Sequence, residues 1–270
     1  MIAYCLGLDI RGALVLAAAA SLAFSVVVLF QFRRLFPAEP ITALFLTLTL
    51  ACSFIGQFGT SEAYFFDGVG YLLEAFAIYA VWPPLIALLI AAGGFADERV
   101  IAAVPLIYLV QVRPPLAKLH LRVLFKPNAR QYGTIAGVLL FLWLRIMLGL
   151  HLGRQFDGAQ VGFASLLYNA TLLPVALVLV YKGSILMVAG GLARLVRLRA
   201  FTALLLLLIG AAPGILASLM VWDLPRSLAY TFPALLFIAR ILAESCRSPE
   251  VQSLALRGAI LSVCFPTYYL

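Results

Sequence analysis

Four charged side chains stand inside stretches of this chain that are otherwise apolar: Asp67, Glu74, Arg145 and Lys182. A charge at membrane depth is costly, so it normally faces neighbouring helices, where it is paired or functional. Asp67 and Glu74 are seven residues apart, which places them on one stripe of a helix. Two acids and two cations predict pairs across helices, such as Glu74 with Arg145 or with Lys182. Such pairs would either fix the packing of the helices or border a polar cavity that holds a lipid headgroup or an ion.

Two further sets of charged residues follow a helical spacing. Arg240 and Glu244 are four residues apart and are predicted to pair within one helix. In the linker 113–130, basic residues recur at every fourth position, namely Lys118, Arg122, Lys126 and Arg130. Because apolar residues fill the other faces, the pattern up to Pro127 predicts an amphipathic helix that lies in the headgroup layer. Its basic side would anchor the topology of the chain or bind the headgroup of an anionic lipid.

The residue types that catalysis and metal binding need are scarce in this sequence. It has two histidines and four cysteines, none of them at the spacing of a metal site. It contains no phosphate-binding Gly-Lys-Ser/Thr loop, no Gly-x-Ser-x-Gly elbow and no His-Glu-x-x-His motif. We therefore expect no metal, no cofactor and no catalytic residue, and an enzyme is the weaker interpretation.

Composition indicates the surroundings in which these residues act. Of the 270 residues, 64% are hydrophobic and 11% are charged, whereas soluble domains carry about 25% charged residues. The interior of a domain of this size is too small to hide so much apolar surface from water. We therefore interpret residues 1–270 as a single integral membrane domain. The net charge of +8 then indicates basic loops that face the cytoplasm and anionic lipid, with no nucleic-acid partner.

Apolar stretches of about 20 residues, the length that crosses a membrane, predict an all-α polytopic transmembrane bundle of about eight spans. They are residues 12–32, 41–59, 66–93, 133–152, 161–189, 200–222, 227–243 and 252–268. The shorter apolar stretch 100–112 predicts a re-entrant or half-depth helix. Gly133 and Gly137, small residues one turn apart, predict a close approach between two helices.

The prolines Pro83 and Pro84 leave a second topology open. In that alternative the chain between residues 62 and 93 divides at the two prolines into two crossings, and 100–112 crosses as well. In both versions the basic loops are cytoplasmic and both termini are non-cytoplasmic.

The segment 60–195 resembles the TLC-domain family, the multi-span fold of ceramide synthases and lipid-sensing proteins. The stretch "EAYFFDGVGYLLE" is similar to the family's Gly/Tyr-Phe-x-x-Asp helix, with Asp67 at the acidic position, and "YGTIAGVLLFLWLRIML" is similar to its apolar helix that ends in an arginine, here Arg145. The stretch "LLYNATLLPVALVLVYKGSILMVAGGLARLVR" resembles its closing helix. The enzymes of that family carry a doubled histidine where this chain reads "VWPP". The resemblance therefore implies the fold and a lipid environment without the synthase reaction, and residues 200–270 would be additional C-terminal spans.

These patterns together predict a non-catalytic multi-pass membrane protein that binds or regulates membrane lipids through a polar cavity bordered by the four intramembrane charges. One alternative is a transporter or channel-like protein in which the same charges line a path. Another is a structural subunit of a larger membrane complex in which the charges only pair. The expected partners are membrane lipids in the first case and other membrane subunits in the last.

Overall fold

The computed structural model describes residues 10–56, 67–112, 114–115, 119–152 and 163–265. These residues form α-helices joined by short turns, and no strand occurs among them. In chain order the helices are α1 (Ile10–Leu35), α2 (Pro40–Ala51), α3 (Asp67–Tyr79), α4 (Pro83–Ala96), α5 (Arg99–Val110), α6 (Ala129–Leu152), α7 (Phe163–Tyr181), α8 (Ser184–Arg197), α9 (Phe201–Leu219), α10 (Leu224–Ala229), α11 (Pro233–Ser245) and α12 (Ser248–Cys264). A 3₁₀ turn, Leu121–Phe125, lies between α5 and α6.

Among the described residues, three helices are long and apolar enough to cross a membrane: α1 over Leu14–Leu35, α6 over Ala129–His151 and α9 over Phe201–Leu219. The helices α7 and α8 meet at a bend of 106° and make a fourth if they are counted as one broken span. Within the described ranges the structure thus supports three spans, or up to four, and not the predicted eight. The helices α2, α4 and α5 have 12 to 14 residues, which is short of the about 20 that a crossing needs.

The predicted span 66–93 is two helices separated by a short break. The helix α3 ends at Tyr79 and α4 begins at Pro83. Pro83 and Pro84 lack the backbone N–H groups that would continue the hydrogen bonds of α3, whereas a proline is accommodated in the first turn of a new helix. Because α3 and α4 pack against each other, the two helices form a hairpin at the two prolines.

Other predicted spans are also interrupted. The helix α2 ends at Ala51, so its described part is shorter than the predicted 41–59. The predicted span 161–189 is interrupted at Lys182, whose φ of 43° lies in the left-handed region and ends α7. The predicted span 227–243 is divided between the short α10 and the longer α11. Backbone turns at these points divide apolar stretches that hydropathy alone reads as continuous.

The linker between α5 and α6 is not the predicted amphipathic helix. Its described part is irregular apart from the 3₁₀ turn, and Lys118 lies outside the described residues. The carbonyl of Leu124 accepts a hydrogen bond from the hydroxyl of Tyr108 at 2.9 Å, and Pro127 has no N–H to offer the carbonyl four residues before it. Contacts with α5 therefore replace hydrogen bonds that an α-helix would need.

Hydrogen bonds between helix termini define two ends of the bundle. At one end Arg130, in the first turn of α6, donates to the carbonyl of Ile78 near the end of α3, and Asn128 donates to the carbonyl of Gln111 after α5 at 2.9 Å. We call this the basic end, because the following basic residues lie there: Arg33, Arg34, Arg122, Lys126, Arg130, Arg194, Arg197 and Arg240.

At the opposite end lie the start of α3, the turn between α4 and α5, and α10. We call this the acidic end, because it gathers Asp67, Asp97, Glu98 and Asp223.

The helices α4 and α6 approach closely at two glycines. A Cβ atom added to Gly133 would lie 2.6 Å from the carbonyl oxygen of Pro83, and one added to Gly137 would lie 2.7 Å from the Cβ atom of Ile90. Real Cβ atoms do not approach other heavy atoms so closely. The close helix approach predicted at Gly133 and Gly137 is therefore confirmed.

Candidate functional site

Asp67 is buried in an ion-pair cluster at the acidic end. One oxygen, Oδ1, accepts hydrogen bonds from Nη2 of Arg99 at 2.8 Å and from the hydroxyl of Tyr230 at 3.0 Å. The other, Oδ2, accepts from Nε of Arg226 at 2.7 Å. The carboxylate side chain has no exposed surface, so both arginines neutralise it away from water. Asp67 thereby joins the start of α3 to α5 and α10.

Asp97 completes this cluster from the turn between α4 and α5. Its Oδ1 accepts from the backbone N–H of Arg99 at 2.9 Å and from Nε of Arg99 at 2.7 Å, and its Oδ2 accepts from Nη2. Burial raises the pKa of Asp97, but the hydrogen bonds and the charge of Arg99 outweigh burial and hold that pKa below its usual value. Arg99 also donates to Oγ of Ser227 at 3.0 Å. Its guanidinium lies 5.0 Å from the centre of the Tyr230 ring.

The short helix α10 presents Arg226 and Tyr230 to this cluster. Asp223 caps the helix by accepting from the backbone N–H of Arg226 at 3.4 Å, and its carboxylate lies 3.6 Å from Nη1 of the same arginine. The hydroxyl of Tyr71 donates to the carbonyl of Arg226 at 3.2 Å. The acids and cations of the cluster are thus engaged with each other, and the arrangement ties three parts of the chain together.

Glu74 lies two turns from Asp67 on the same stripe of α3 and has a different environment. Its side chain is fully buried, and neither Oε1 nor Oε2 has a hydrogen-bond partner among the described residues. The predicted pairs of Glu74 with Arg145 or Lys182 are therefore wrong. The reason is that each of those cations meets other groups.

Arg145 lies at the acidic end, near the end of α6. Its Nη1 is 2.5 Å from Oε1 of Glu98, a half-exposed pair, and its guanidinium lies 5.6 Å from the centre of the Phe141 ring. The helix α6 runs past the level of Glu74 and carries this arginine to the turn between α4 and α5. The sequence predicted that Arg145 pairs with an acid of α3, whereas in the structure it pairs with Glu98.

Lys182 lies at the bend between α7 and α8. Its Nζ donates to the carbonyl of Cys52 and to the carbonyl of Phe265, each at 2.9 Å. These residues follow the last turns of α2 and α12, and α7 ends one residue before the lysine. The C-terminal ends of two helices, where carbonyls lack intrahelical partners and carry a partial negative charge, thus bind the ammonium group. Helix ends take the place of the acidic partner that the sequence predicted for Lys182.

Among the described residues no ion pair joins Asp67 or Glu74 to Arg145 or Lys182, so the predicted charge network of these four residues is not formed by pairing. Arg240 and Glu244 do meet on α11, with Nε of the arginine 2.8 Å from Oε1 of the glutamate. Arg240 also donates to the carbonyl of Pro114 at 2.9 Å. This pair therefore holds the start of the linker against α11.

An open cleft of about 730 Å³ lies at the basic end, between the linker and the starts of α6 and α9. It is lined by Pro114, His120, Leu121, Arg122, Lys126, Asn128, Gln131 and Thr202. Of the four basic residues predicted as a headgroup site, Arg122 and Lys126 are exposed and line this cleft. Arg130 points instead to the carbonyl of Ile78. We call this the basic cleft.

The floor of the basic cleft is held by a capping box. Oδ1 of Asn128 accepts from the backbone N–H groups of Arg130 and Gln131 at 3.0 and 3.2 Å, and Oε1 of Gln131 accepts from the backbone N–H of Asn128 at 2.9 Å. The side chain of Gln131 also donates to the carbonyl of Tyr108 at 3.0 Å. The start of α6 and the end of α5 are therefore fixed, and the exposed basic side chains project from an anchored backbone.

Several of these groups were not predicted from the sequence. Asp97, Arg99, Arg226 and Tyr230 stand in turns between apolar stretches, where charge is ordinary. The one local signal is the Asp-x-Arg spacing of residues 97 and 99, which permits the bonds between them. The three partners of Asp67 are 32, 159 and 163 residues away along the chain, and only the fold brings them together.

Comparison with protein-family models, with curated proteins and with solved structures gives no match to this chain. Among the described residues, no group of three or more histidine, cysteine, aspartate or glutamate side chains is placed to hold a metal ion.

Proposed function

We propose that this chain is a non-catalytic multi-pass membrane protein that binds the headgroup of an anionic lipid in the basic cleft. The observation that carries this proposal is the cleft itself, an open space of about 730 Å³ lined by His120, Arg122 and Lys126 at the basic end. Helices of membrane-spanning length and composition accompany it in the same chain.

The charges of the cleft are available to a ligand. Arg122 and Lys126 are exposed and form no ion pair with a described residue. Each basic side chain near a membrane surface contributes about 1 kcal/mol of attraction to anionic lipid. Asn128 and Gln131 line the same space, but their amide groups are bonded in the capping box and to the carbonyls of Gln111 and Tyr108. They hold the backbone of the cleft, and the charge for a ligand comes from Arg122 and Lys126.

The orientation that follows from this proposal places the basic end on the cytoplasmic side and the acidic end on the opposite side. The helices that would cross fully are α1, α6, α9 and the bent pair α7 and α8. The short helices α3, α4 and α5 would lie among them, with the hairpin at Pro83 turned toward the basic end. Both chain termini would then be non-cytoplasmic.

The resemblance of residues 60–195 to the TLC-domain family is part of this proposal. It would make the core a divergent member of a fold that works on or senses lipids, with residues 200–270 as additional helices. The exposed basic cleft, and not a cavity among the intramembrane charges, is then the place where lipid binds. The alternatives are a transporter or channel-like protein and a structural subunit of a larger complex.

The test is the affinity of the purified protein for phosphatidylglycerol, measured by native mass spectrometry with phosphatidylcholine as the neutral reference. The double variant Arg122→Gln/Lys126→Gln removes two charges from the cleft. We expect it to bind phosphatidylglycerol on the order of thirtyfold more weakly, since two charges contribute about 2 kcal/mol and 1.4 kcal/mol is tenfold. Binding of phosphatidylcholine should not change.

The matched control is Arg34→Gln/Arg247→Gln, which removes two exposed charges that do not line the cleft. We expect this variant to keep most of its affinity for phosphatidylglycerol. Equal losses in the two double variants would mean general attraction to positive charge and would contradict a site in the cleft. Unchanged affinity in the cleft variant would also contradict it and would favour the transporter or subunit alternatives.

A further inference from the structure

Glu74 stands in the interior of the bundle, away from both charged ends. Along the axis of α3 it is about 10 Å from Asp67 and about 6 Å from Ile78, since an α-helix rises 1.5 Å per residue. Asp67 belongs to the acidic-end cluster, and Ile78 accepts the bond from Arg130 at the basic end. The glutamate is therefore in the middle layer of α3, between the acidic-end cluster and the bond that Arg130 makes at the basic end.

No described residue neutralises the carboxyl group of Glu74. Its side chain has no exposed surface, and both oxygens lack a hydrogen-bond partner among the described residues. On the facing helix α1, Gln31 donates its amide N–H to the carbonyl of Ala75 at 2.7 Å, and its own Oε1 is buried and unpartnered. A buried carboxylate in such surroundings would lack both a counter-charge and donors, and this state is very unfavourable.

In the part of the chain that the structure describes, no element packed around α3 forms an ion pair with Glu74. The helix α4 contains no charged or titratable residue. The titratable and charged groups on or near the surrounding elements come from several helices. They are Arg11, Arg33 and Arg34 of α1, Asp67, Tyr71 and Tyr79 of α3 itself, Asp97, Glu98, Arg99 and Tyr108 from the turn before α5 and from α5, Tyr181 of α7, and Arg226 and Tyr230 from α10 and the residue after it. Arg11, Arg34 and Tyr79 are exposed. Arg99 and Arg226 are bound to Asp67, Tyr108 donates to Leu124, and Tyr181 is hydrogen-bonded to Thr231.

We propose that Glu74 is a proton-binding site in the interior of the bundle. In the packed structure its carboxyl group carries one proton, which makes it neutral and leaves an O–H group as donor. A metal cation fits less well, because hard cations take about six to eight oxygen ligands, and the unpartnered oxygens here are the two of Glu74 and one of Gln31.

Proton binding at Glu74 would be linked to the packing of α3. Loss of the proton in the packed bundle leaves an unpaired buried charge, so deprotonation favours any arrangement that gives the carboxylate water or a cation. The bound proton conversely favours the packed arrangement of α3 against α1. This inference is independent of lipid binding in the basic cleft, because the two sites share no residue.

The test is the infrared difference spectrum of wild type minus Glu74→Gln at neutral pH, in an alkyl maltoside detergent that has no carbonyl group. We expect the difference spectrum to contain the C=O stretching band of one protonated carboxyl group. The matched control is Glu250→Gln, since Glu250 is exposed on α12. Its difference spectrum should contain carboxylate bands only.

Carboxylate bands alone in the Glu74→Gln difference spectrum would overturn the proposal. Conversion of the protonated band to a carboxylate band when choline chloride is replaced by sodium chloride would also overturn it, in favour of a sodium site. If Glu74→Gln does not fold, wild type labelled with ¹³C only in its glutamates provides the second measurement. The protonated band should then move to lower frequency, and absence of a protonated glutamate band would refute the site.

Discussion

Asp67 and Glu74 carry two carboxyl groups on one face of one helix, but only Asp67 has described neighbours that bind its carboxylate. Asp67 accepts from Arg99, Arg226 and Tyr230, whereas Glu74 accepts from no described residue. Removing one partner of a buried ion pair leaves the other charge uncompensated, which is more damaging than the loss of the pair itself. The change in the free energy of unfolding on substitution therefore depends on the neighbours of each carboxyl group, because both residues are acids.

We therefore expect amide substitutions at these two positions to differ. Asp67→Asn should lower the free energy of unfolding by roughly 3 kcal/mol, the low end of the range for breaking a buried ion pair. Arg99 and Arg226 lose the carboxylate that they share and keep Asp97 and Asp223 as counter-charges. Glu74→Gln should change it by less than about 1 kcal/mol, because no cation loses a partner. Reversible unfolding in mixed detergent micelles gives both values, and similar losses in the two variants would contradict the partner assignments.

The sequence predicted which residues are buried and charged better than it predicted their partners. A spacing of seven residues correctly placed Asp67 and Glu74 on one stripe, and a spacing of four placed Arg240 beside Glu244. Partners from other helices depend on where each helix begins and ends. Lys182 shows this most clearly, because its partners are backbone carbonyls at helix ends. Every residue has a carbonyl, so the sequence does not indicate which carbonyls bind the lysine.

At the level of the helices, the apolar stretches could be predicted from the sequence. The points at which turns interrupt these stretches could be predicted only in part. The prolines at 83 and 84 indicated a break, and the structure divides α3 from α4 there. No proline or doubled glycine marks the bend between α7 and α8, where Lys182 adopts a left-handed conformation. That bend depends on the carbonyls of α2 and α12 that hold the lysine, so local sequence could not reveal it.

The contact between α4 and α6 gives a prediction at this level. Gly137→Ala should destabilise the protein by about 1–3 kcal/mol, because the new methyl group would lie 2.7 Å from the Cβ atom of Ile90 and 2.9 Å from the carbonyl oxygen of Ala87. Gly190→Ala on α8 is the control, since its methyl group would meet only the flexible end of Leu254 at 3.0 Å.

Alanine favours a helix over glycine by about 1 kcal/mol, so Gly190→Ala should be neutral or slightly stabilising. Thermal unfolding of the two variants in the same detergent compares them directly. A Gly137→Ala protein as stable as the Gly190→Ala protein would contradict the close approach of α4 and α6.

The whole molecule combines a few long apolar helices with a core of short ones. The helices α3, α4 and α5 have 12 to 14 residues, which is about 18–21 Å of helix against a hydrocarbon core of about 30 Å. The short helices would therefore bring the acidic-end cluster and the basic end closer together than the thickness of an ordinary bilayer. Local thinning of the bilayer would accommodate this difference at modest cost.

The length of the apolar stretches predicted the all-α architecture, which the described residues show, and composition indicated apolar surroundings. It did not predict the number of spans, since a hydropathy count cannot separate a 12-residue helix and its turn from a full crossing. The sequence indicated the basic residues of the linker, but it wrongly predicted an amphipathic helix where the described linker is irregular apart from a 3₁₀ turn. Tertiary contacts at Tyr108 and Asn128 determine that form.

The most direct test of the proposed function is the position at which an anionic lipid contacts the protein in a bilayer. A phosphatidylglycerol analogue with a photoreactive group in its headgroup would be incorporated into nanodiscs with the full chain, and its adducts located by mass spectrometry. We predict adducts concentrated in residues 119–131 and near Thr202, and their loss in Arg122→Gln/Lys126→Gln. Adducts spread evenly over the lipid-facing helices, or unchanged in that variant, would contradict the assignment of the basic cleft as a lipid headgroup site.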